Sequence, residues 1–190
     1  MIVMAAEKKY EWNLYRLVAI PDQILRKKLE AEQVKISGEF GVACQPVVSI
    51  ELANFFARPE MEATLGRWIG NICALQEACR LQVVNYHAQP PQSLYARVKD
   101  NGAFTGFFRS LKMLDGFITS CDCPPVQICS SSHILLAGGL TARSFENAST
   151  FYARENLDED FTVEKILFLR GEGGSEVISS YRLPMHAGIK

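Results

Sequence analysis

One order of predicted elements occurs twice in the sequence, and it limits the possible folds more than any other feature. Residues 46–99 predict a strand, a helix, a strand, a tight turn and a strand, and residues 132–183 predict the same order over a similar length. Two copies of one supersecondary unit typically face each other across a cleft, unlike the stacked repeats of a solenoid. We therefore predict an α+β fold with two pseudo-symmetric lobes, each with an antiparallel sheet and flanking helices, around a central cleft. The chain, 1–190, is predicted to be a single bilobal domain.

The spacing of apolar residues predicts the individual elements. Apolar and β-branched runs indicate strands at 10–20, 46–52, 80–86, 93–99, 133–137, 161–171 and 175–183. Helical spacing, with Pro21-Asp22 and Thr141 as start signals, indicates helices at 23–36, 61–75, 104–117 and 142–156. Loops or turns are predicted at Ser37–Gly41, His87–Gln92 and Glu172–Gly174. The phenylalanine stripe of the third helix is interpreted as core packing rather than as a surface that stacks bases.

The composition restricts the partners of the chain. The 190 residues carry a formal net charge of −1 at pH 7, and no long basic run occurs. A protein that grips extended nucleic acid through many phosphates is more basic, so no extended nucleic-acid surface is expected. A pocket for one phosphate needs only a few donors and stays open. No apolar stretch approaches a membrane span and no signal-peptide pattern is present, so we expect a cytoplasmic monomer without membrane contact.

The six cysteines indicate reduced thiols of a cytoplasmic protein rather than a disulfide framework. Only Cys121 and Cys123 are close together in sequence, and no second pair completes a metal site. We interpret Cys121–Pro125 as a proline-rich connector with buried thiols, and we predict no metal and no cofactor. The glycines of Arg170–Glu176 lack the strand–loop–helix setting of a nucleotide-binding loop, so this segment is interpreted as a hairpin turn.

Two triplets carry the candidate chemistry, because each opens the leading strand of one repeat. The first is Val-Val-Ser at 47–49, and the second is His-Ile-Leu at 133–135. Side chains alternate along a strand, so the first and third residues of a triplet point to the same side. We therefore predict that Val47, Ser49, His133 and Leu135 line the cleft. Two other interpretations stay open. In one, the His133 side chain is hydrogen-bonded to a loop carbonyl, and in the other, the Ser49 hydroxyl makes a local hydrogen bond.

The other ionisable residues are weaker candidates for the cleft. His87 is expected in solvent within the proline-containing turn, and His186 lies near the end of the sequence in a segment expected to be mobile. Arg97 on a strand and Arg109 on a helix either supply positive charge near the cleft or form exposed ion pairs, which is the commoner outcome for such residues.

With these triplets the sequence resembles the two-histidine (2H) phosphoesterases, the 2′-5′ RNA ligase-like superfamily. Their hallmark is a pair of H-x-T/S motifs, one per lobe, on strands that line the cleft. Here QPVVSIELANFF and SSHILLAG stand at those places, and the element order around LYRLVAIPDQILRKKLE, MEATLGRWIGNICAL, PPQSLYARV and FTVEKILFLR extends the resemblance over nearly the whole chain. The first motif keeps Ser49 but has Val47 in place of its histidine. The second keeps His133 but has Leu135 in place of its hydroxyl residue.

The resemblance implies a mechanism in which one imidazole is the base and the other is the acid, on a ribose 2′-hydroxyl and a phosphodiester. The implied catalytic residues are His133 and Ser49, and Val47 and Leu135 mark the degenerate positions. A positioned acid or base contributes a factor of about 10²–10⁴ to the rate. We therefore expect a pseudoenzyme, a weak or inactive phosphodiesterase whose cleft binds a nucleotide or an RNA end with a terminal or cyclic phosphate.

Two alternatives to the pseudoenzyme remain. One is an active phosphodiesterase that acts on 2′,3′-cyclic phosphates or 2′-5′ linkages with His133 alone, aided by water or by another group. The other is a non-catalytic partner-binding protein with a vestigial cleft, which the apolar residues Val47 and Leu135 would make drier.

Overall fold

A computed structural model describes residues 12–43, 47–99, 101–129, 132–171 and 176–185. The strands in this part of the chain are β1 (Asn13–Pro21), β2 (Ile50–Ala57), β3 (Cys79–Gln89), β4 (Ser93–Lys99), β5 (Gln127–Ile128), β6 (His133–Ala137), β7 (Asp158–Arg170) and β8 (Glu176–Arg182). The α-helices are α1 (Gln23–Phe40), α2 (Glu62–Ala74), α3 (Thr105–Ser120) and α4 (Ala142–Tyr152). The two repeats share one element order, since β2-α2-β3-β4 is followed later by β6-α4-β7-β8.

All of these strands belong to one antiparallel sheet, and six of them close on themselves. The order β1-β2-β6-β4-β3-β7 returns to β1, because β1 pairs with both β2 and β7. β8 pairs with β7, and the short β5 pairs with β2. The junction between β2 and β6 is narrow, since the pair Ile50 and Ile134 alone joins them within the described residues.

The closed sheet differs from the predicted pair of lobes with one sheet each. The two repeats pair with each other through β3 and β7, from Cys79 opposite Val163 to Val84 opposite Asp158. They pair again through β4 and β6. An unpaired strand edge exposes backbone donors and acceptors, so each repeat closes the open edge of the other rather than its own. The α+β class and the antiparallel pairing are as predicted.

The main core lies between the sheet and the four helices, which all contribute buried apolar side chains to it. At its centre the rings of Tyr15, Phe55 and Phe168 stack with centroid distances of 5.2–6.2 Å. The phenylalanine stripe of α3 packs into the same core, with Phe104 and Phe107 buried. The interpretation of this stripe as core packing is therefore confirmed.

A second apolar cluster lies on the other face of the sheet. It consists of Val18, Ile20, Leu167 and Leu169, which are buried, and Val47 packs against it. Strand alternation explains the separation from the main core, because Val18 and Ile20 alternate along β1 with residues of that core. We call these four residues the second apolar cluster.

Helix α1 begins and ends at two well-defined caps. The Asp22 carboxylate accepts hydrogen bonds from the N–H groups of Ile24 and Leu25, at 3.0 and 3.1 Å. At the other end Gly41 is left-handed, with φ 64°, and its N–H donates to the carbonyl of Ser37 at 2.9 Å. The prediction of a loop at Ser37–Gly41 is wrong, because the glycine that ends the helix is Gly41 and the helix continues to Phe40.

Several other strand and helix boundaries differ from the predicted ones. β2 begins at Ile50 rather than at 46, and α4 ends at Tyr152 rather than at 156. β3 continues to Gln89, so His87 lies on a strand and not in a turn. The predicted turn Glu172–Gly174, Cys44 and His186 lie outside the described residues.

The connector at Cys121–Pro125 packs with its sulfur atoms inward. Cys123 is buried and Cys121 is half-buried, and the Cys123 Sγ lies 3.8 Å from the Met61 Sδ. In the described ranges, no group of three or more His, Cys, Asp and Glu side chains is arranged to hold a metal ion. None of the helices there is long and apolar enough to cross a bilayer.

Candidate functional site

The two triplets meet where β2 joins β6. Val48, Ile50, Ile134 and Leu136 are buried in the main core, while the residues between them are only half-buried. Alternation therefore places four half-buried side chains on the face opposite that core: Val47, Ser49, His133 and Leu135. We call this side of the sheet the motif face. It is the side that also carries the second apolar cluster, because Val47 packs against that cluster.

The strand register sets the spacing between Ser49 and His133. Ile50 lies opposite Ile134 in an antiparallel pair. One residue before Ile50, this antiparallel register places Ser49 opposite Leu135. One residue after Ile50, it places Glu51 opposite His133. Ser49 and His133 are then diagonal neighbours on one face, about 7–8 Å apart. That is close enough for both side chains to contact one phosphate group.

The Ser49 hydroxyl makes a local hydrogen bond. Its Oγ donates to the carbonyl oxygen of Val47, at 3.3 Å. This is one of the two alternatives that the sequence left open. This hydrogen bond is long, and its donor and acceptor are only two residues apart. An anion that accepts a hydrogen bond from the Ser49 hydroxyl can therefore replace it at little cost in free energy.

His133 has an aromatic and a cationic neighbour on β4. The Tyr95 ring meets the His133 ring edge to face, with centroids 4.3 Å apart. Arg97 lies directly opposite His133 in the β4–β6 ladder. The Arg97 side chain is exposed, and within the described residues no carboxylate forms an ion pair with it. A cationic side chain without an ion pair among the described residues therefore lies on one side of the imidazole, and the extended register places Glu51 on the other side.

His87 lies on the same face but too far away to replace the missing imidazole. It is opposite Tyr95 in the β3–β4 ladder, and Tyr95 is opposite Leu135 on its other side. His87 is thus two strands away from His133 and two residues along, which separates their Cα atoms by roughly 12 Å. An acid and a base must each reach the reacting atoms within hydrogen-bond distance. His87 therefore lies farther from His133 than Ser49 does.

A network of polar side chains surrounds Glu51 on β2. Arg16 pairs with its Oε2, and Asn54 donates to its Oε1 at 3.0 Å. The Cys129 thiol contacts Oε1 at 3.7 Å. Burial and the Glu51 carboxylate raise the pKa of Cys129 to about 11, so this thiol stays protonated and unreactive at neutral pH. The sequence held a signal for Glu51, because it continues the alternation of Val47 and Ser49.

Arg109 does not belong to this site. It is exposed on α3, on the side of the sheet that the helices cover, and it forms no ion pair with a described residue. Neither the cleft nor an exposed ion pair therefore accounts for Arg109. The structure places Val47, Ser49, His133 and Leu135 on one face of the sheet, and Tyr95, Arg97 and Glu51 lie beside them.

This arrangement is suited to holding an anion more than to moving two protons. It offers one imidazole, one exposed guanidinium and one hydroxyl, and the Glu51 carboxylate opposite His133 is paired with Arg16. Charge-assisted hydrogen bonds from such donors are shorter and stronger than neutral ones. Val47 and Leu135 supply neither a proton nor a hydrogen bond, and Val47 lies against apolar side chains.

No protein-family model and no curated protein sequence matches the chain, but solved structures do. E. coli LigT complexed with 3′-AMP matches with a TM-score of 0.63 at 12% identity, over 91% of this chain and 99% of that one. The protein TT0787 of Thermus thermophilus matches with a TM-score of 0.63 at 17% identity, over 92% and 99%. A protein described as a phosphoesterase matches with a TM-score of 0.60 at 11% identity, over 92% and 99%.

These likenesses establish the fold and no more. The matches extend over nearly the whole of both chains. At these identities the role of a residue cannot be carried across, because one fold hosts many functions. Other LigT structures were solved with phosphate and with NADP+.

Proposed function

We propose, from the premise that this chain has the fold of the LigT-like 2H phosphoesterases, that it binds a nucleotide or RNA phosphate at His133 and Ser49 and turns it over weakly or not at all. The proposal treats the chain as one domain built from the related units 46–99 and 132–183. The observation that carries it is the meeting of β2 and β6 at Ile50 and Ile134, which sets Ser49 and His133 on one half-buried face. The LigT structures that hold 3′-AMP, phosphate and NADP+ support a nucleotide as the ligand class.

Weak turnover follows from the missing second proton carrier. The side chain of valine cannot act as an acid or a base. The rate of phosphodiester hydrolysis is therefore expected to be about 10²–10⁴ lower than with a histidine at position 47. Val47 packs against the four apolar members of the second apolar cluster. His87 does not compensate, because it is two strands away from His133.

Retained binding follows from the groups that remain. Arg97 is a cation on the motif face without an ion pair among the described residues, and the His133 imidazole beside it can donate a hydrogen bond. A hydrogen bond to a charged group contributes about 1.5–3 kcal/mol, so two such bonds with the Ser49 hydroxyl support a dissociation constant in the micromolar to millimolar range. The loss of one hydroxyl at Leu135 weakens this binding without removing it.

Isothermal titration calorimetry with 2′-AMP and 2′,3′-cyclic AMP tests the proposal. The wild type is expected to bind 2′-AMP, and His133→Ala is expected to weaken binding at least tenfold. His87→Ala is the matched control, because it removes the same side chain from the same face outside the proposed site. If millimolar 2′-AMP gives no heat of binding, the proposed binding at His133 and Ser49 is wrong. Hydrolysis of 2′,3′-cyclic AMP by the wild type at ordinary enzymatic rates would remove the claim of weak turnover.

A further inference from the structure

A cavity of about 540 Å³ lies where β1 passes into α1. Three elements contribute a cationic side chain to its lining: Arg26 from α1, Lys165 from β7 and Arg182 from β8. Ile20, a member of the second apolar cluster, forms part of the wall. We call this space the basic cavity.

The three cations of the basic cavity differ in whether they have an ion-pair partner. In the described part of the chain, neither Lys165 nor Arg182 forms an ion pair. The Arg26 Nε is buried and makes no hydrogen bond, and it forms an ion pair with the Glu30 carboxylate at 3.5 Å. A buried donor without a hydrogen-bond acceptor is costly unless a ligand or water supplies one.

The two carboxylates of the lining behave differently. Asp22 is engaged with the backbone, because its oxygens accept from Ile24, Leu25 and Thr162 N–H groups at 2.9–3.1 Å. Glu164 is the other acid, and it forms no ion pair with a described cation. The lining therefore carries three cations and two carboxylates, and one of the two, Asp22, is held in place by backbone hydrogen bonds.

The basic cavity adjoins the proposed phosphate site along one row of the sheet. Lys165 lies opposite Ile20 on one side and opposite Arg182 on the other. Ala19 lies opposite Ile50, so the next residue pair in that register is Ile20 and Ser49. Ser49 and Lys165 are thus two strand spacings apart, roughly 10 Å between Cα atoms. One extended ligand can span that distance.

We propose that the basic cavity binds a phosphoryl group, and that it is the second anion site for a ligand whose first phosphate lies at His133 and Ser49. The ligand class is then a nucleotide or short RNA with two separated phosphate groups rather than a mononucleotide. The second clause rests on the proposed function, whereas the first stands on the cavity alone. Arg26, Lys165 and Arg182 hold the second phosphate, and Ile20 contacts the part of the ligand between the two.

Titration with inorganic pyrophosphate in the His133→Ala background, which lacks the first proposed phosphate site, tests the cavity alone. The double variant Lys165→Gln/Arg182→Gln is expected to weaken pyrophosphate binding at least tenfold. Lys27→Gln, which removes an exposed cation of α1 that is not part of the lining, is expected to change it less than twofold. Glu164→Gln is expected to tighten it several-fold, because it removes the opposing charge. Unchanged binding in the double variant, or weaker binding in the Glu164 variant, would overturn the cavity as an anion site.

Comparison of 5′-phosphorylated adenylyl-adenosine with AMP tests whether one ligand spans both sites. The dinucleotide is expected to bind at least tenfold more tightly, and the double variant is expected to lose that advantage. Equal affinities in the wild type, or an advantage that survives in the double variant, contradict the spanning ligand. Pyrophosphate binding that persists while 2′-AMP fails to bind would contradict the proposed function and leave the cavity standing. A circular dichroism melt of each variant shows whether it is folded.

Discussion

Val47 and Leu135 occupy different surroundings, although both stand where a polar residue is expected from the 2H motif. Val47 packs against the second apolar cluster, so a polar side chain there must displace apolar contacts. Leu135 is half-buried opposite Tyr95 on β4, where a hydroxyl can reach solvent or a ligand. Restoring the two polar groups therefore has different costs at the two positions.

The double variant Val47→His/Leu135→Thr tests the assignment of these positions. We expect it to hydrolyse 2′,3′-cyclic AMP at least about 100-fold faster than the wild type, because a second imidazole restores proton transfer. We also expect a lower free energy of unfolding, by about 1–3 kcal/mol, because a polar ring replaces valine beside apolar side chains. Leu135→Thr alone is the control and should gain no comparable rate. A folded double variant that binds 2′-AMP but remains inactive would contradict the assignment.

Among the secondary-structure elements, α1 supports the strand that carries His133. Gln33 of α1 is buried, and its Nε2 donates to the carbonyls of Leu135 and Leu136 at 3.5 and 3.4 Å. Sequence periodicity predicted β6 with the observed bounds, His133–Ala137, but gave no sign of this contact. A polar residue on the buried stripe of a helix was the available signal, since such a residue needs a partner.

Replacing Gln33 with methionine is expected to affect both stability and binding. The shape is nearly kept while the donor is lost, so the free energy of unfolding should fall by about 1–2 kcal/mol. Binding of 2′-AMP should weaken, because β6 is then held less firmly. Val34→Ala, at the next and largely exposed position of α1, should change neither quantity. Urea unfolding and calorimetry give both values, and unchanged stability in Gln33→Met would refute the supporting role.

For the whole molecule, the closure of the sheet was the part that the sequence could not supply. Local patterns located the helices, most of the strands and the shared face of Ser49 and His133, because these depend on nearby residues. The pairing of β3 with β7 joins residues about 80 positions apart, as in Cys79 opposite Val163, and leaves no local periodicity. The same lack of register information hid the neighbours of His133, which are Tyr95 and Arg97 on β4.

The buried thiols make the folded molecule sensitive to alkaline pH. Burial raises the pKa of Cys73 to about 12 and, together with Glu51, that of Cys129 to about 11, from an ordinary thiol value of 9.0. Above pH 9 the unfolded state loses protons that the folded state keeps, so stability falls as pH rises toward the folded pKa values. We expect the free energy of unfolding in urea to decrease steadily from pH 9 to pH 11. Cys73→Ala should flatten this decrease, and an equal slope in that variant would contradict the explanation.

The most direct test of the central claim uses the small number of histidines in the chain. Only three are present, His87, His133 and His186, so selective ¹⁵N labelling of histidine gives a spectrum that His87→Ala and His133→Ala variants assign. On titration with 2′-AMP, the imidazole resonances of His133 should move and saturate with the ligand, while those of His87 and His186 should move much less. A ligand that binds by calorimetry but leaves the His133 resonances in place would contradict the account.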